Sequence, residues 1–297
     1  MATALGDVHP LTARDFDATR KFVDTSFGRI AYVERGRGPV ALFVHGAILN
    51  GYQWRHQLAA LADIRRVIAL DTMGMGHTQL RPGQPLGLKQ QAAMFKAFLD
   101  ALAITEVDVV GNDSGGGAVQ VFAAGNPSCV RTMTLTNCEV HDYDDQAPAF
   151  VKFRKGLESG LLVKVMQAAL ENPEIGRKAF ATAYENVDNL PADAVVAYVA
   201  PLIASPERIE QMRAYVAATT NRDLIEIEAG LRALRAPTLV LWGTADDFFP
   251  VQRAYWLRDT LPNVVEVVEI EGARVFWPEE RPQLLNGKLR ELWTRPR

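Results

Sequence analysis

Short apolar runs of strand type alternate with helical patterns through the first half of the chain. The strand-like runs are RIAYVERG, PVALFVHG, RRVIALD, VDVVGND and RTMTLTNC. Between them, LKQQAAMFKAFLDALA carries apolar residues at helical spacing, and GGGAVQVFAAGN follows VDVVGND almost directly. Strands separated by helices predict an α/β fold with a mostly parallel central sheet and helices on both faces.

The strand signals stop between about Asp142 and Leu234, where the sequence is helical and repeatedly broken by proline. Strand and helix then alternate again through PTLVLWG, VQRAYWLRDTL and VVEVVEI, and a last helix begins near Pro278. We therefore predict one core domain made of residues 1–141 and 235–297. Residues 142–234 are predicted to form a helical subdomain inserted into it, called the cap below.

The composition and charge of the chain indicate which classes of molecule it binds. The formal net charge is -3, and acidic and basic residues are spread evenly along the chain, which predicts neither a nucleic-acid-binding face nor a membrane-binding segment. Cys129 and Cys138 have no metal-binding spacing, and the N-terminus lacks the apolar core of a signal peptide. We expect a cytoplasmic protein that binds a small molecule without a metal or cofactor, as a monomer or a homodimer.

The segment VDVVGNDSGGGAVQ has the form of a nucleophile elbow, in which a strand turns sharply into a helix. Small residues two positions before and two after the central residue permit the turn, and that spacing puts Asp113 at the centre. Ser114 as the nucleophile would leave Asn112 at a position that favours a small residue. The plainer interpretation is a glycine-rich turn in which Asp113 only caps the helix.

Two further segments fit the same layout. FVHGAILN follows an early strand, so the backbone N–H of Ala47 is expected to join that of Ser114 in an oxyanion hole. LWGTADDFFP ends a late strand and places Asp246 where the acid of a catalytic triad belongs. Asp247 is the second choice, because adjacent side chains of an extended backbone point to opposite sides.

With these motifs, the chain resembles α/β-hydrolase-fold proteins of the branch with an aspartate nucleophile, such as epoxide hydrolases and haloalkane dehalogenases. The resemblance covers nearly the whole chain, including the cap. It implies that Asp113 attacks a carbon atom and forms an ester, and that a histidine oriented by the second acid activates the water that hydrolyses this ester.

The chain departs from that branch at the histidine. A Gly-x-x-His-Phe run is usual after the last strand, and here the run is Gly272-Ala273-Arg274-Val275-Phe276. Attack by an ionised carboxylate needs no base, whereas hydrolysis of the ester does. The loss of the histidine is therefore expected to impair the second step far more than the first.

None of the five histidines stands at the expected place. His141 follows the strand RTMTLTNC at the entrance to the cap, where strand ends border the pocket of such a fold, so it is the candidate replacement base. Glu139 lies beside it, in a region where some relatives place an alternative acid. We interpret the other four as structural or surface residues: His9, His45, His56 and His77.

Two features distinguish the possible substrates. Haloalkane dehalogenases of this branch follow the nucleophile with a tryptophan that donates to the halide, and this chain has Ser114 there. Epoxide hydrolases use cap tyrosines to donate to the epoxide oxygen, and Tyr184, Tyr198 and Tyr215 all fall within the cap. The absence of that tryptophan and the presence of cap tyrosines favour an epoxide-like substrate, although ordinary packing explains any single tyrosine.

We therefore expect a cofactor-independent α/β-hydrolase that acts on a small hydrophobic substrate through Asp113, with an altered or impaired ester-hydrolysis step. Three explanations of Val275 stay open: an engineered substitution that traps an intermediate; a natural hydrolase that uses a different base; or a natural protein that catalyses a lyase, isomerase or cyclase reaction instead. A protein that only binds its ligand is the non-enzymatic alternative, and the retention of Asp113 and Asp246 argues against it.

Overall fold

The computed structural model describes residues 9–141 and 148–295, and its centre is a mixed nine-stranded sheet in the order β1-β2-β4-β3-β6-β7-β8-β9, with β5 paired to β2. The pairs from β4 through β9 are parallel, and β2 pairs antiparallel with β1, β4 and β5. The strands are β1 Lys21–Thr25, β2 Gly28–Arg35, β3 Val40–Val44, β4 Arg66–Leu70, β5 Gln79–Leu80, β6 Val107–Asp113, β7 Val130–Cys138, β8 Thr238–Gly243 and β9 Val264–Ile270.

Helices cover both faces of this sheet, so the predicted α/β-hydrolase fold class is confirmed. The helices of the core are α1 Ala13–Ala18, α2 Arg55–Ala60, α3 Leu88–Ala101, α4 Ser114–Gly125, α12 Gln252–Thr260, α13 Trp277–Glu280 and α14 Pro282–Thr294. Between β7 and β8 lie α5 Pro148–Glu158, α6 Leu161–Glu171, α7 Pro173–Phe180, α8 Ala192–Val199, α9 Pro206–Ala218, α10 Arg222–Glu226 and α11 Glu228–Ala233.

The described residues between β7 and β8 form helices, turns and short 3₁₀ segments but no strand. Residues 142–147, where the cap was predicted to begin, lie outside the described residues. The domain boundaries stay a prediction.

Close backbone contacts fix the position of α4 against the sheet. Its first turn is Ser114-Gly115-Gly116-Gly117. A Cβ atom on Gly115 would lie 2.4 Å from the carbonyl oxygen of His45, and one on Gly116 would lie 2.4 Å from Cβ of Cys138. Only glycine allows so close an approach. The start of α4 is thereby wedged between the ends of β3 and β7, which holds the residue before it in place.

A buried ionic network joins the cap to the core. Nη1 of Arg55 in α2 lies 2.6 Å from Oε2 of Glu279 in α13. The hydroxyl of Tyr198 in α8 donates to Oε1 of Glu279 at 2.8 Å, and that of Tyr184 donates to the same oxygen at 3.0 Å. Both charged side chains are almost completely buried. Each charge therefore depends on its partner, because an unpaired charge is very costly in the interior.

We expect Glu279→Ala to lower the free energy of unfolding by about 3–5 kcal/mol, because it leaves the Arg55 guanidinium buried without its counter-charge. Urea unfolding followed by circular dichroism measures this loss. The double variant Arg55→Met, Glu279→Met is expected to be more stable than Glu279→Ala, since it removes both charges. Glu228→Ala, which breaks a surface pair with Arg232, is the control and is expected to cost under about 1 kcal/mol. A loss no larger in Glu279→Ala than in this control would contradict the account.

Candidate active site

Asp113 stands at the junction of β6 and α4 in a strained backbone conformation. Its φ is 55° and its ψ is -135°, a combination that residues other than glycine rarely adopt. The neighbouring loop is also close, since a Cβ atom on Gly46 would lie 2.7 Å from Cβ of Asp113. Such strain persists only where the surroundings enforce it, and it is concentrated at functional sites.

Two backbone N–H groups donate hydrogen bonds to the same oxygen of the Asp113 carboxylate. The N–H of Ala47 donates to Oδ1 of Asp113 at 2.9 Å, and the N–H of Ser114 donates to the same atom at 2.5 Å. These are the two donors that the sequence predicts for an oxyanion hole. Here they hold Oδ1, so Oδ2 is the oxygen left for a substrate.

Burial raises the pKa of Asp113, and the hydrogen bonds from Ala47 and Ser114 partly oppose that shift because they favour the charged form. The carboxyl group is thus poorly solvated by water. A carboxylate with few solvent contacts is a stronger nucleophile than one in bulk water, because less hydration has to be removed before it attacks.

Asp113 lies at the floor of a cavity of about 330 Å³ between the sheet and the cap. Most of the lining is apolar and comes from cap helices, including Phe150, Leu162, Val165, Phe180 and Val216. Lys152 and Lys178 are exposed and also line the cavity. A pocket of this size and character suits a small, largely apolar molecule whose reactive atom reaches the floor.

Val275 lines the cavity at the position where the histidine was expected, and it is 1% exposed. Its carbonyl oxygen accepts a hydrogen bond of 2.9 Å from Nδ2 of Asn112, which anchors the segment behind Asp113. All five histidines lie within the described residues, and none of them lines the cavity. The described lining of the cavity therefore includes carboxyl, hydroxyl and basic groups, but no imidazole.

His141 is not brought to the cavity. Its half-buried ring stacks on Trp256 of α12, with ring centroids 4.0 Å apart. The chain has left β7 by this point, and the ring packs against α12 instead of facing Asp113. Among the other histidines, His45 is buried, and its Nε2 accepts from the N–H of Thr72 at 3.0 Å, which is a structural role.

Asp246 is buried close to the site but does not line the cavity. Its Oδ2 accepts from Nδ2 of Asn137 at 2.7 Å, and its Oδ1 accepts from the N–H of Phe248 at 2.8 Å. Burial raises the pKa of Asp246 to about 7. Asp247 lies on the surface and pairs with Arg274 at 2.7 Å. The sequence-based preference for Asp246 over Asp247 agrees with this burial, although Asp246 has an amide partner where a triad acid has a histidine.

Of the three cap tyrosines, only Tyr215 lines the cavity. Its hydroxyl donates to Oγ of Ser114 at 2.7 Å. Tyr184 and Tyr198, which the sequence placed among the substrate-binding candidates, do not line the cavity, and their hydroxyls donate to Glu279 in the network between cap and core. Asp113, the two N–H donors, Tyr215 and Val275 therefore meet at the cavity.

Glu139 is the cavity residue that sequence reasoning undervalued. It follows β7 directly, is 3% exposed and lines the cavity together with Asp113. Burial, reinforced by the negative charge of Asp113, raises the pKa of Glu139 well above its ordinary value. The available signal was a carboxyl residue directly after the strand segment TLTNC, at the end of the sheet where Asp113 lies.

Within residues 9–141 and 148–295, no group of three or more histidine, cysteine or acidic side chains is arranged to hold a metal ion. No helix in the same part of the chain is both long enough and apolar enough to cross a membrane.

Comparison with known proteins agrees with this geometry. Haloalkane dehalogenase 2 of Mycobacterium tuberculosis is 27% identical over 96% of this chain and 96% of its own length. Mouse epoxide hydrolase 4 is 23% identical over 88% of this chain and 74% of its own length. The solved structure of the epoxide hydrolase CorEH superposes with a TM-score of 0.78 at 20% identity, covering 93% of this chain and 98% of that one.

These relatives are named as hydrolases of the branch that the sequence motifs suggested, so the expected resemblance is confirmed. Residues 39–280, well over half of the chain, match the family described as alpha/beta hydrolase fold. The chain belongs to the alpha/beta hydrolase fold family.

Proposed function

We propose that the protein opens an activated or strained bond at a carbon atom of a small, largely apolar substrate, with Asp113 as the nucleophile. The observation that carries this proposal is the placement of the Asp113 carboxyl group. Its Oδ1 is fixed by the N–H groups of Ala47 and Ser114, and the group lies at the floor of an apolar cavity. An oriented carboxylate in such a cavity is suited to in-line attack on carbon.

In the first step, Oδ2 of Asp113 attacks the carbon and forms an ester, while the electron pair of the broken bond leaves with the departing atom. When water later adds to the ester carbonyl, negative charge develops on Oδ1. That atom already accepts from Ala47 and Ser114, so both donors are in place before the charge appears. The same pair of N–H groups thus orients the nucleophile and stabilises the intermediate of the second step.

An oxygen leaving group fits the site better than a halide. The position after the nucleophile is Ser114, and its Oγ is paired with the hydroxyl of Tyr215. Neither group provides the indole N–H that binds the halide in dehalogenases of this branch. The relatives include a haloalkane dehalogenase and an epoxide hydrolase by name, and the hydroxyl groups of this site favour an epoxide-like substrate.

The second step is the altered one. Hydrolysis of an ester requires a base to activate water, and Val275 occupies the place from which an imidazole would act. General-base catalysis is worth about 10²–10⁴-fold. We therefore expect the ester on Asp113 to form faster than it is hydrolysed and to accumulate.

A second candidate is a non-hydrolytic reaction in which Asp113 removes a proton from the substrate, as in an isomerase, lyase or cyclase. The observation that favours it is the cavity itself, which two carboxyl groups, of Asp113 and Glu139, line without a histidine. This reaction leaves no ester on the enzyme. Covalent labelling of Asp113 therefore separates the two candidates.

Incubation with a 1,2-epoxyalkane is expected to add the mass of the epoxide to the peptide that contains GNDSGG. Mass spectrometry of the digested protein locates the adduct on Asp113. Asp113→Asn is expected to abolish labelling, because an amide does not attack carbon at a useful rate. Asp100→Asn, which changes an exposed carboxylate paired with Lys96, is the matched control and should label like the parent. Labelling of Ser114, or unchanged labelling of Asp113→Asn, would contradict the assignment.

Val275→His is expected to discharge the ester and raise hydrolysis by about 10²–10⁴-fold, because it restores a base at the cavity. The decay of the labelled peptide after removal of free epoxide measures this rate. Combining it with Asp246→Asn should remove most of the gain, since the new imidazole then lacks its orienting acid. Val275→Leu, which keeps the position apolar, is the control. A correctly folded Val275→His protein whose ester persists as long as that of the parent would refute the altered second step.

A further inference from the structure

Glu139 has no role in the chemistry described so far, although it lies beside the nucleophile. It follows β7 and covers the first turn of α4, where a Cβ atom on Gly117 would lie 3.4 Å from its Oε2. Its side chain lines the same cavity as Asp113. The two carboxyl groups are near enough for the charge of one to act on the other.

The carboxyl group of Glu139 is also incompletely bonded. It is 3% exposed, and its Oε2 is buried without a hydrogen-bond partner in the part of the chain that the structure describes. A buried polar atom without a hydrogen-bond partner destabilises the folded protein. Such an atom in a ligand cavity calls for an explanation, and a group on the bound ligand supplies one.

The charged and titratable groups around Glu139 come from several elements. Asp113 and Asp246 lie at the ends of β6 and β8 and raise its pKa, and Arg253 of α12 acts in the opposite direction. Cys138 and Tyr215 also interact with it, and His141 follows two residues later. Burial is the largest influence on the pKa of Glu139, so the protonated form persists to higher pH than it does for an exposed glutamate.

Two other groups at the cavity floor are less suited to give up a proton. The hydroxyl proton of Tyr215 is donated to Ser114, and burial raises the pKa of Tyr215 further above its already high value. Oγ of Ser114 is already the partner of that hydroxyl, and an alcohol is a far weaker acid than a carboxylic acid. Glu139 alone combines a carboxylic acid with an oxygen that has no protein partner.

We propose that Glu139 is the acid that protonates the leaving oxygen when Asp113 opens a strained cyclic ether such as an epoxide. This inference rests on the proposed function. Oδ2 of Asp113 forms a bond to the epoxide carbon, the carbon–oxygen bond breaks, and its electron pair goes to the epoxide oxygen. The proton of Glu139 moves to that oxygen. The products are a hydroxyalkyl ester on Asp113 and an ionised Glu139, and the net charge of the site is unchanged.

A leaving group that needs no proton does not depend on this acid. Bromide departs as a stable anion, whereas the alkoxide from an epoxide is strongly basic. Two probes of equal chain length, a 1,2-epoxyalkane and a 1-bromoalkane, therefore separate the attack by Asp113 from proton donation by Glu139. The rate at which each probe labels the peptide containing Asp113 is measured by mass spectrometry.

Glu139→Gln is expected to slow labelling by the epoxide about 10²-fold or more, and to change labelling by the bromide by less than about 3-fold. Asp113→Asn should abolish both reactions. Glu171→Gln makes the same change at an exposed position at the end of α6 and should alter neither. Thermal unfolding of each variant verifies that it is folded.

The parent protein gives a second test that requires no variant. Its epoxide labelling should fall at high pH as Glu139 loses its proton, whereas bromide labelling, which needs only ionised Asp113, should not fall. Glu139→Gln should remove this difference.

Equal slowing of both probes in Glu139→Gln, or no slowing of the epoxide, overturns the assignment of the acid. Parallel pH profiles for the two probes in the parent do the same. If the parent labels with bromide but not with epoxide, Asp113 is still the nucleophile and only the role of Glu139 fails. If neither probe labels the parent, the proposed function fails and this inference fails with it.

Discussion

The structure of the site depends on the two hydrogen bonds from Ala47 and Ser114 to one oxygen of Asp113. They exist because the backbone of Asp113 is held in a strained turn, with φ at 55°. That turn in turn requires glycine at positions 46, 115 and 116, where a side chain would collide with neighbouring atoms. The strained turn, offset by the packing of α4, thereby holds the Asp113 carboxyl group in the position that the proposed attack requires.

The titratable side chains nearest to this carboxyl group include other acids, and no histidine lines the cavity with it. Asp113 is half-buried and Glu139 and Asp246 are buried at the same end of the sheet, and desolvation raises the pKa of each of them. In a site with a histidine, a positive imidazolium would offset part of this negative charge. Val275 carries no positive charge that could offset the carboxylates. Protonation of Glu139 or Asp246 instead reduces the repulsion between neighbouring negative charges. An active site of this kind is better supplied with proton donors than with bases, which fits an impaired hydrolytic step.

Much of this arrangement was predictable from the sequence, because it depends on local spacing. The glycine pattern around Asp113, the loop with Ala47 and the strand ends all follow from short-range rules, and the fold follows from the alternation of strands and helices. The orientation of the cap side chains does not. Tyr184, Tyr198 and Tyr215 are all fully buried, and burial within a cap packed on several sides does not show which buried side chain meets the cavity. His141 and Glu139 differ in the same way: two residues apart in an irregular segment, one stacks on Trp256 and the other lines the cavity.

The central claim is that the oxygen transferred to the substrate comes from Asp113. A single turnover in H₂¹⁸O, with enzyme in excess over an epoxide, tests this most directly. If Asp113 attacks carbon and water then attacks the ester, the peptide containing Asp113 carries either the intact ester or one ¹⁸O atom, and any diol released in that turnover contains no ¹⁸O. A diol labelled with ¹⁸O together with an unmodified, unlabelled Asp113 peptide would show that water attacks the substrate directly, and it would contradict the account.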